Sequence, residues 1–251
     1  MSRLEEIVLK TLAIVLVPVV AGLALYVKIL WTDNEEAKPE FNGYVAPREL
    51  ETIVNYAKNV TVTLDCKGNY GSGFSFELDP KFDFATWNFQ VPESERSIII
   101  TNHHVVEECV EPEDRVKVTF AKGKSLFGKI VGLDDKNDLA ALVVNKKIDW
   151  TVSTPYEMRS GYWVIAAGSP FEMEGTVTFG NIIKLDGERI YTSASLNKGN
   201  SGGPLLDNEG YVVGVNTGYR AVAQNLNWAV DINKLCERIA KCEFGELGKG
   251  P

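Results

Sequence analysis

The sequence predicts an all-β fold of two packed antiparallel barrels, and three observations predict it. Glycine and β-branched residues recur in short runs broken by turn-forming stretches such as Ala121-Lys122-Gly123-Lys124 and Asp207-Asn208-Glu209-Gly210. Two apolar runs, Ile98-Ile99-Ile100 and Leu139-Ala140-Ala141-Leu142-Val143-Val144, have strand length and the character of buried strands. With 251 residues the chain has room for an N-terminal segment and one folded unit. That unit would hold roughly 200 residues, a size that all-β barrels reach as a single domain. No internal repeat is evident.

The N-terminal segment reads as a membrane anchor over residues 1–31. From Thr11 to Val27 no residue is charged, and Lys10 and Lys28 flank the run with stems that reach toward headgroups. Adding Ile7–Leu9 and Ile29–Trp31 extends it past the ~20 residues needed to span a bilayer. Pro18 is tolerated in such a helix, and Trp31 suits the interface. The rival is a cleavable signal peptide with Gly22 and Ala24 near the cut, against which Leu25-Tyr26-Val27 continues the apolar stretch. Basic residues do not choose an orientation, since Arg3 and Lys10 lie on one side and Lys28, Lys38 and Arg48 on the other. Residues 32–45, with Asp33, Glu35, Glu36 and Glu40, form a polar tether, and 46–251 is the folded domain.

Within that domain Pro47 opens a helix with Leu50, Ile53, Val54 and Ala57 at helical spacing. A stretch from Asp79 to Arg96 sets Phe82, Phe84, Trp87 and Phe89 among charges. It reads as a long hairpin folding its aromatics back on the barrel, or as a lid or membrane-touching loop. Near the C-terminus Asp231 caps a helix with Ile232, Leu235, Cys236 and Ile239 on one face. The four cysteines, Cys66, Cys109, Cys236 and Cys242, allow three pairings if all are oxidised. Cys66 with Cys109 is the first to test. Cys236 and Cys242 project in different directions from one helix, which disfavours their mutual bond.

Net charge is −8, with 26 basic against 34 acidic residues and no basic run, so no nucleic-acid partner is expected. No Cys-x-x-Cys exists, and no metal or cofactor is expected.

The chemistry concentrates in Gly199-Asn200-Ser201-Gly202-Gly203-Pro204-Leu205. A serine among glycines can be presented as a nucleophile, with the Gly199 and Ser201 main-chain N–H groups converging on one oxyanion. The plain alternative is a Gly-Ser turn between strands. A serine hydroxyl needs a base, and the base a carboxylate to orient it. The two histidines, His103 and His104, end the strand Ile98–Ile100, and successive strand residues face opposite ways, so at most one faces Ser201. Asp138 stands at the mouth of the Leu139–Val144 strand, well placed to be semi-buried and to accept from imidazole. Asp134 and Asp135 read as solvated turn residues.

The order His, Asp, Ser is that of chymotrypsin-type enzymes. Together, Thr101-Asn102-His103-His104-Val105-Val106, Asp138-Leu139-Ala140-Ala141-Leu142 and Gly199–Leu205 resemble the HtrA/Deg-type branch of the trypsin-like serine peptidases. So do Ala166–Phe171, Thr176–Gly180 and Val212–Thr217, over roughly residues 46–243.

The resemblance implies two six-stranded barrels with His104 as base, Asp138 as orienting acid, Ser201 as nucleophile, and Gly199 and Ser201 amides as oxyanion hole. It implies that extended substrate pairs with Val213, Gly214, Val215 and Asn216. Ser195, uncharged at the specificity position, argues against cutting after basic residues and for small or medium apolar side chains. The activity implied is a serine endopeptidase acting on protein or peptide substrates, with the domain on the extracytoplasmic side of a single-pass anchor at residues 7–31. The alternative is a catalytically silent, membrane-anchored peptide binder or holdase on the same fold.

Two departures matter. Asn200 stands where zymogen-type relatives carry aspartate, so activation by N-terminal clipping is not expected and the oxyanion loop must be ordered by other packing. The sequence also ends soon after its last helix, with a short Lys184–Arg189 loop, so gating by a PDZ domain is not expected.

Overall fold

The computed structural model describes Pro18 and residues 49–77, 96–121, 123–149, 151, 157–169, 175–219 and 226–239. The chain divides into units Met1–Asn42 and Gly43–Pro251, and the fold described below belongs to the second. Among the described residues no helix is long and apolar enough to cross a membrane. The expected anchor, apart from Pro18, lies outside those residues, as do the tether and the aromatic insert apart from Arg96.

Two closed six-stranded antiparallel barrels form the body of the molecule. The first contains β1 (Thr61–Cys66), β2 (Asn69–Phe76), β3 (Ser97–Thr101), β4 (Val116–Phe120), β5 (Ser125–Asp134) and β6 (Leu139–Val144). Their order is β1-β2-β3-β6-β5-β4, and β4 closes on β1 through Val62↔Phe120 to Asp65↔Lys117. The second contains β7 (Trp163–Gly168), β8 (Thr176–Leu185), β9 (Arg189–Thr192), β10 (Pro204–Leu206), β11 (Val212–Tyr219) and β12 (Asn227–Asp231). Their order is β10-β11-β12-β9-β8-β7, and β10 closes on β7 through Leu205↔Ala166.

The continuous apolar runs have a simple cause, which is that both faces of these strands are buried. Ile99 points into the first barrel with Val62, Leu64 and Leu142, while Ile98 and Ile100 point outward into a second core. That outer core joins the two barrels, since it also holds Ile165, Leu206 and Val215. On β7 the same alternation sends Val164 and Ala166 into the second barrel and Ile165 and Ala167 into the shared core. Fully burying each such Ile or Leu is worth about 1.5–3 kcal/mol.

Two helices cap the shared core. α1 (Leu50–Val60) buries Ile53, Tyr56, Ala57 and Val60, an i, i+3, i+4, i+7 face. Leu50, expected on that face, is 55% exposed, and Val54 is only partly buried. The helix runs directly into β1, where the Thr61 hydroxyl donates back to the Ala57 carbonyl at 2.7 Å. A second helix at Ile232–Arg238 (here α3) starts at Asp231, whose carboxylate accepts from the Asn233 N–H at 2.9 Å. It buries Ile232 and Leu235 against the core. Burial pushes the Asp231 carboxyl above its usual range, and the nearby Glu237 charge acts in the same direction.

Asp134 differs from the solvated turn residue expected. Its side chain is 9% exposed and takes hydrogen bonds from Asn137 and, at 3.3 Å, from Arg238 of the C-terminal helix. Burial alone would raise its pKa, but these bonds outweigh it and hold it below the usual carboxylate range.

Cys66 and Cys109 form a disulfide with Cα atoms 5.9 Å apart. Cys236 is disulfide-bonded as well, and Cys242 lies outside the described residues.

Candidate active site

β3 delivers the chain to the site but ends earlier than expected. Thr101 closes the strand, Asn102 is extended and buried, and His103–Val106 form a single helical turn, α2, followed by a 3-10 turn at Glu107–Cys109. The two histidines therefore sit about 100° apart on a turn rather than on opposite faces of a strand. Asn69, on the hairpin after β1, donates to the His104 and Val105 carbonyls at 2.9 and 3.2 Å. The Cys66–Cys109 disulfide pins the far end of the same segment.

Asp138 ends the tight turn before β6 and adopts a left-handed backbone, φ +55°. Aspartate tolerates that conformation because its short polar side chain bonds locally. Its carboxylate holds His104 in two ways: Oδ1 accepts the His104 main-chain N–H at 3.0 Å, and Oδ2 faces the imidazole Nδ1 at 2.8 Å. A carboxylate only accepts, so Nδ1 carries a proton, and in the neutral ring Nε2 is the nitrogen left with a lone pair. The side chains are 44% and 29% exposed, which leaves the ring accessible to substrate.

Ser201 lies in the Gly199–Gly203 turn between the barrels. Gly199 has φ +101° and Gly202 φ +87°, a region that L side chains rarely adopt. At Gly202 space is also absent, since a Cβ would run into the Thr101 hydroxyl and the Ser72 carbonyl. Neither the Gly199 nor the Ser201 N–H donates to a partner among the described residues. These are the two donors named from the sequence.

The Ser201 hydroxyl donates to the Thr217 carbonyl at 3.0 Å, and among the described residues no hydrogen bond joins it to His104. A chain of contacts nevertheless links the three residues. The Thr217 hydroxyl accepts from the Asn102 amide at 3.1 Å, and the same amide donates to the Asp138 carbonyl at 2.8 Å. The structure thus places His104 against Asp138 directly, and Ser201 beside them through Thr217 and Asn102.

The expected substrate strand requires a correction. Val213, Gly214, Val215 and Asn216 are all buried, with β10 on one side of them and β12 on the other. Asn216 also spends its amide on the Ala167 and Pro204 carbonyls. No edge is open there. β10 pairs with β11 only as far as Val215, and Gly202 and Gly203 bond Asn216, so among the described residues Thr217–Tyr219 has no strand partner on that side. Ser195 is exposed on the loop after β9, its carbonyl accepting from the Thr178 hydroxyl at 2.8 Å.

Sequence reasoning missed Asn102, Thr217 and Ser72 as site residues. The first two lie inside motifs that carry the histidine and the last strand. Ser72 had its own signal, a polar residue between Gly71 and Gly73 within a strand. Among the described residues no group of three or more His, Cys, Asp or Glu converges to hold a metal ion.

A family model described as a trypsin-like peptidase domain matches residues 71–215. A probable periplasmic serine endoprotease, DegP-like, of Chlamydia trachomatis is 40% identical over 136 residues, covering 49% of this chain and 26% of that protein. The DegP-like protein of Bartonella henselae is 38% identical over 237 residues, covering 75% of this chain and 46% of that protein. The chain thus spans between about a quarter and a half of the length of these relatives. The crystal structure of a serine endoprotease from Yersinia pestis superposes with a TM-score of 0.61 at 23% identity, over 77% of this chain and 66% of that one, and so shares the fold.

Proposed function

The chain belongs to the trypsin-like peptidase family, its domain being of the HtrA/DegP type, and from that premise we propose that it is a serine endopeptidase acting on protein substrates through His104, Asp138 and Ser201. The observation that carries this reading is the paired grip of Asp138 on His104, at 2.8 Å to the ring and 3.0 Å to the main chain. This grip fixes both tautomer and ring orientation.

In the mechanism the Ser201 hydroxyl turns from the Thr217 carbonyl to Nε2 of His104 and attacks the scissile carbonyl as its proton passes to the imidazole. Hydrogen bonds of this kind commonly tighten only when substrate is bound. Asp138 stabilises the imidazolium, and the N–H groups of Gly199 and Ser201, which have no partner among the described residues, receive the oxyanion, a contribution of about 3–4 kcal/mol per donor. His104 then protonates the leaving amine, and water hydrolyses the acyl-enzyme by the reverse route. The substrate chain adds as a strand along Thr217–Tyr219 of β11, which runs past the end of β10.

The apolar run at residues 7–31 supports a membrane anchor, and the periplasmic naming of the DegP-like relatives supports an extracytoplasmic domain.

The silent peptide-binder reading draws on the resting Ser201 hydroxyl, which is bonded to Thr217. Incubation with a reduced, unfolded protein separates the two. Internal cleavage by the wild type and none by Ser201→Ala is expected, and equal cleavage by both would remove the proposal.

A further inference from the structure

The geometry points to Ser72 as the positioning residue that holds the oxyanion loop in its working shape, an inference that rests on the peptidase reading of the same site. Ser72 lies on β2 of the first barrel and is fully buried. The loop it touches belongs to the second barrel. Its main-chain N–H donates to the Ser201 carbonyl at 2.8 Å, and its hydroxyl donates to the Gly199 carbonyl at 2.6 Å. One residue therefore grips the carbonyls on both sides of Asn200.

The direction of the hydroxyl bond is fixed by its surroundings. Ser72 Oγ also accepts the Ser169 N–H at 2.9 Å, and a main-chain N–H can only donate, so the serine proton goes to Gly199. The Thr101 hydroxyl braces the grip by donating to the Ser72 carbonyl at 2.6 Å. Further out, the Thr63 hydroxyl donates at 2.7 Å to Ser169 Oγ, a different group from the N–H that bonds Ser72.

The loop needs such a brace. Gly199 has no side chain to resist rotation of its peptide groups, and Asn200, buried at 3% exposure, cannot form an ion pair and has its Oδ1 without a partner among the described residues. Fixing the Gly199 and Ser201 carbonyls restricts rotation across residues 199–201. This steadies the backbone on both sides of Asn200, and with it the Gly199 and Ser201 N–H groups, which have no partner among the described residues. Ser72 touches no substrate; it acts through the donors that do.

The test compares wild type with Ser72→Ala, Ser72→Cys and Thr63→Val, reading kcat, KM, thermal midpoint and the rate of labelling by a fluorophosphonate, whose phosphoryl oxygen occupies the oxyanion hole. Cysteine keeps the volume but offers only a weak donor, and it carries the test if the alanine variant does not fold. Both Ser72 variants should lose about 10- to 100-fold in kcat and in labelling rate. KM should stay within about 2-fold, as for an interaction felt only in the transition state. Thr63→Val, which removes a hydroxyl one bond further out, should keep kcat within about 3-fold at a comparable loss of thermal midpoint. The inference is overturned if the Ser72 variants turn over at the wild-type rate, or if they lose kcat and stability in the same proportion as Thr63→Val. Wild type that fails to label at all overturns the peptidase reading, and the inference with it.

Discussion

The Ser201 hydroxyl and the Thr217 carbonyl form a 3.0 Å hydrogen bond at the point where β11 runs past the end of β10. On the proposed mechanism the same carbonyl is the first acceptor that an extended substrate would meet there. A substrate N–H bonding Thr217 would compete with the serine for it and release the hydroxyl toward His104, coupling binding to nucleophile activation. Peptides methylated on the amide nitrogen of the residue that supplies the scissile carbonyl should lose about 10-fold or more in kcat against their unmethylated partners. Equal kcat for the matched pair would break the coupling.

Asp138→Asn isolates the carboxylate's role. Asparagine tolerates the left-handed backbone at φ +55°, so the turn before β6 should survive. An amide presents the wrong group to Nδ1, and the tautomer is lost. A drop in kcat of about 10⁴-fold is expected, with a thermal midpoint within a few degrees of wild type. Steady-state kinetics beside a melting curve read both quantities.

How much of this was legible in the sequence depends on the range of the interaction involved. The strand runs at Ile98–Ile100 and Leu139–Val144 could be read because burial on both faces leaves no polar residue in them. His104, Asp138 and Ser201 could be named because short motifs surround each. The expected substrate strand, Val213–Asn216, is paired on both sides. An apolar run marks a buried strand, while a free edge depends on where β10 stops, which is a fact about pairing rather than composition. His103 and His104 were read as the end of the strand because α2 is too short to show a helical period. Ser72 escaped notice because its partners Ser169, Gly199 and Ser201 are 97 to 129 residues away in sequence.

Asp231 offers a pH test. Burial first, and Glu237 second, raise its folded-state pKa above the unfolded value, so its favourable contribution is present below the unfolded pKa and is lost as pH rises through the folded one. At neutral pH the ionised cap is a net cost, although Asn233 and Lys234 offset part of it. Asp231→Asn keeps a good N-cap acceptor without the charge. Its thermal midpoint should exceed that of wild type at pH 7, with the gap closing on acidification. A gap that widens on acidification would contradict the assigned direction.

The Cys66–Cys109 disulfide closes a loop with a sequence separation of 43 and anchors the segment that carries His104. Chain-entropy reasoning assigns about 4 kcal/mol to a loop of that length. The Cys66→Ala/Cys109→Ala double variant should therefore unfold at markedly lower denaturant. Asn69 still holds the His104 carbonyl, so kcat under stabilising conditions should fall by less than about 10-fold. Denaturant midpoints and initial rates at low temperature decide it.

The most direct test is to react the wild-type protein with a fluorophosphonate and locate the adduct by peptide mass mapping. The account expects one phosphonylated residue, Ser201, with labelling abolished in Ser201→Ala and strongly slowed in His104→Ala. An unmodified Ser201 under conditions where the protein is folded, or labelling at the same rate without His104, would contradict it.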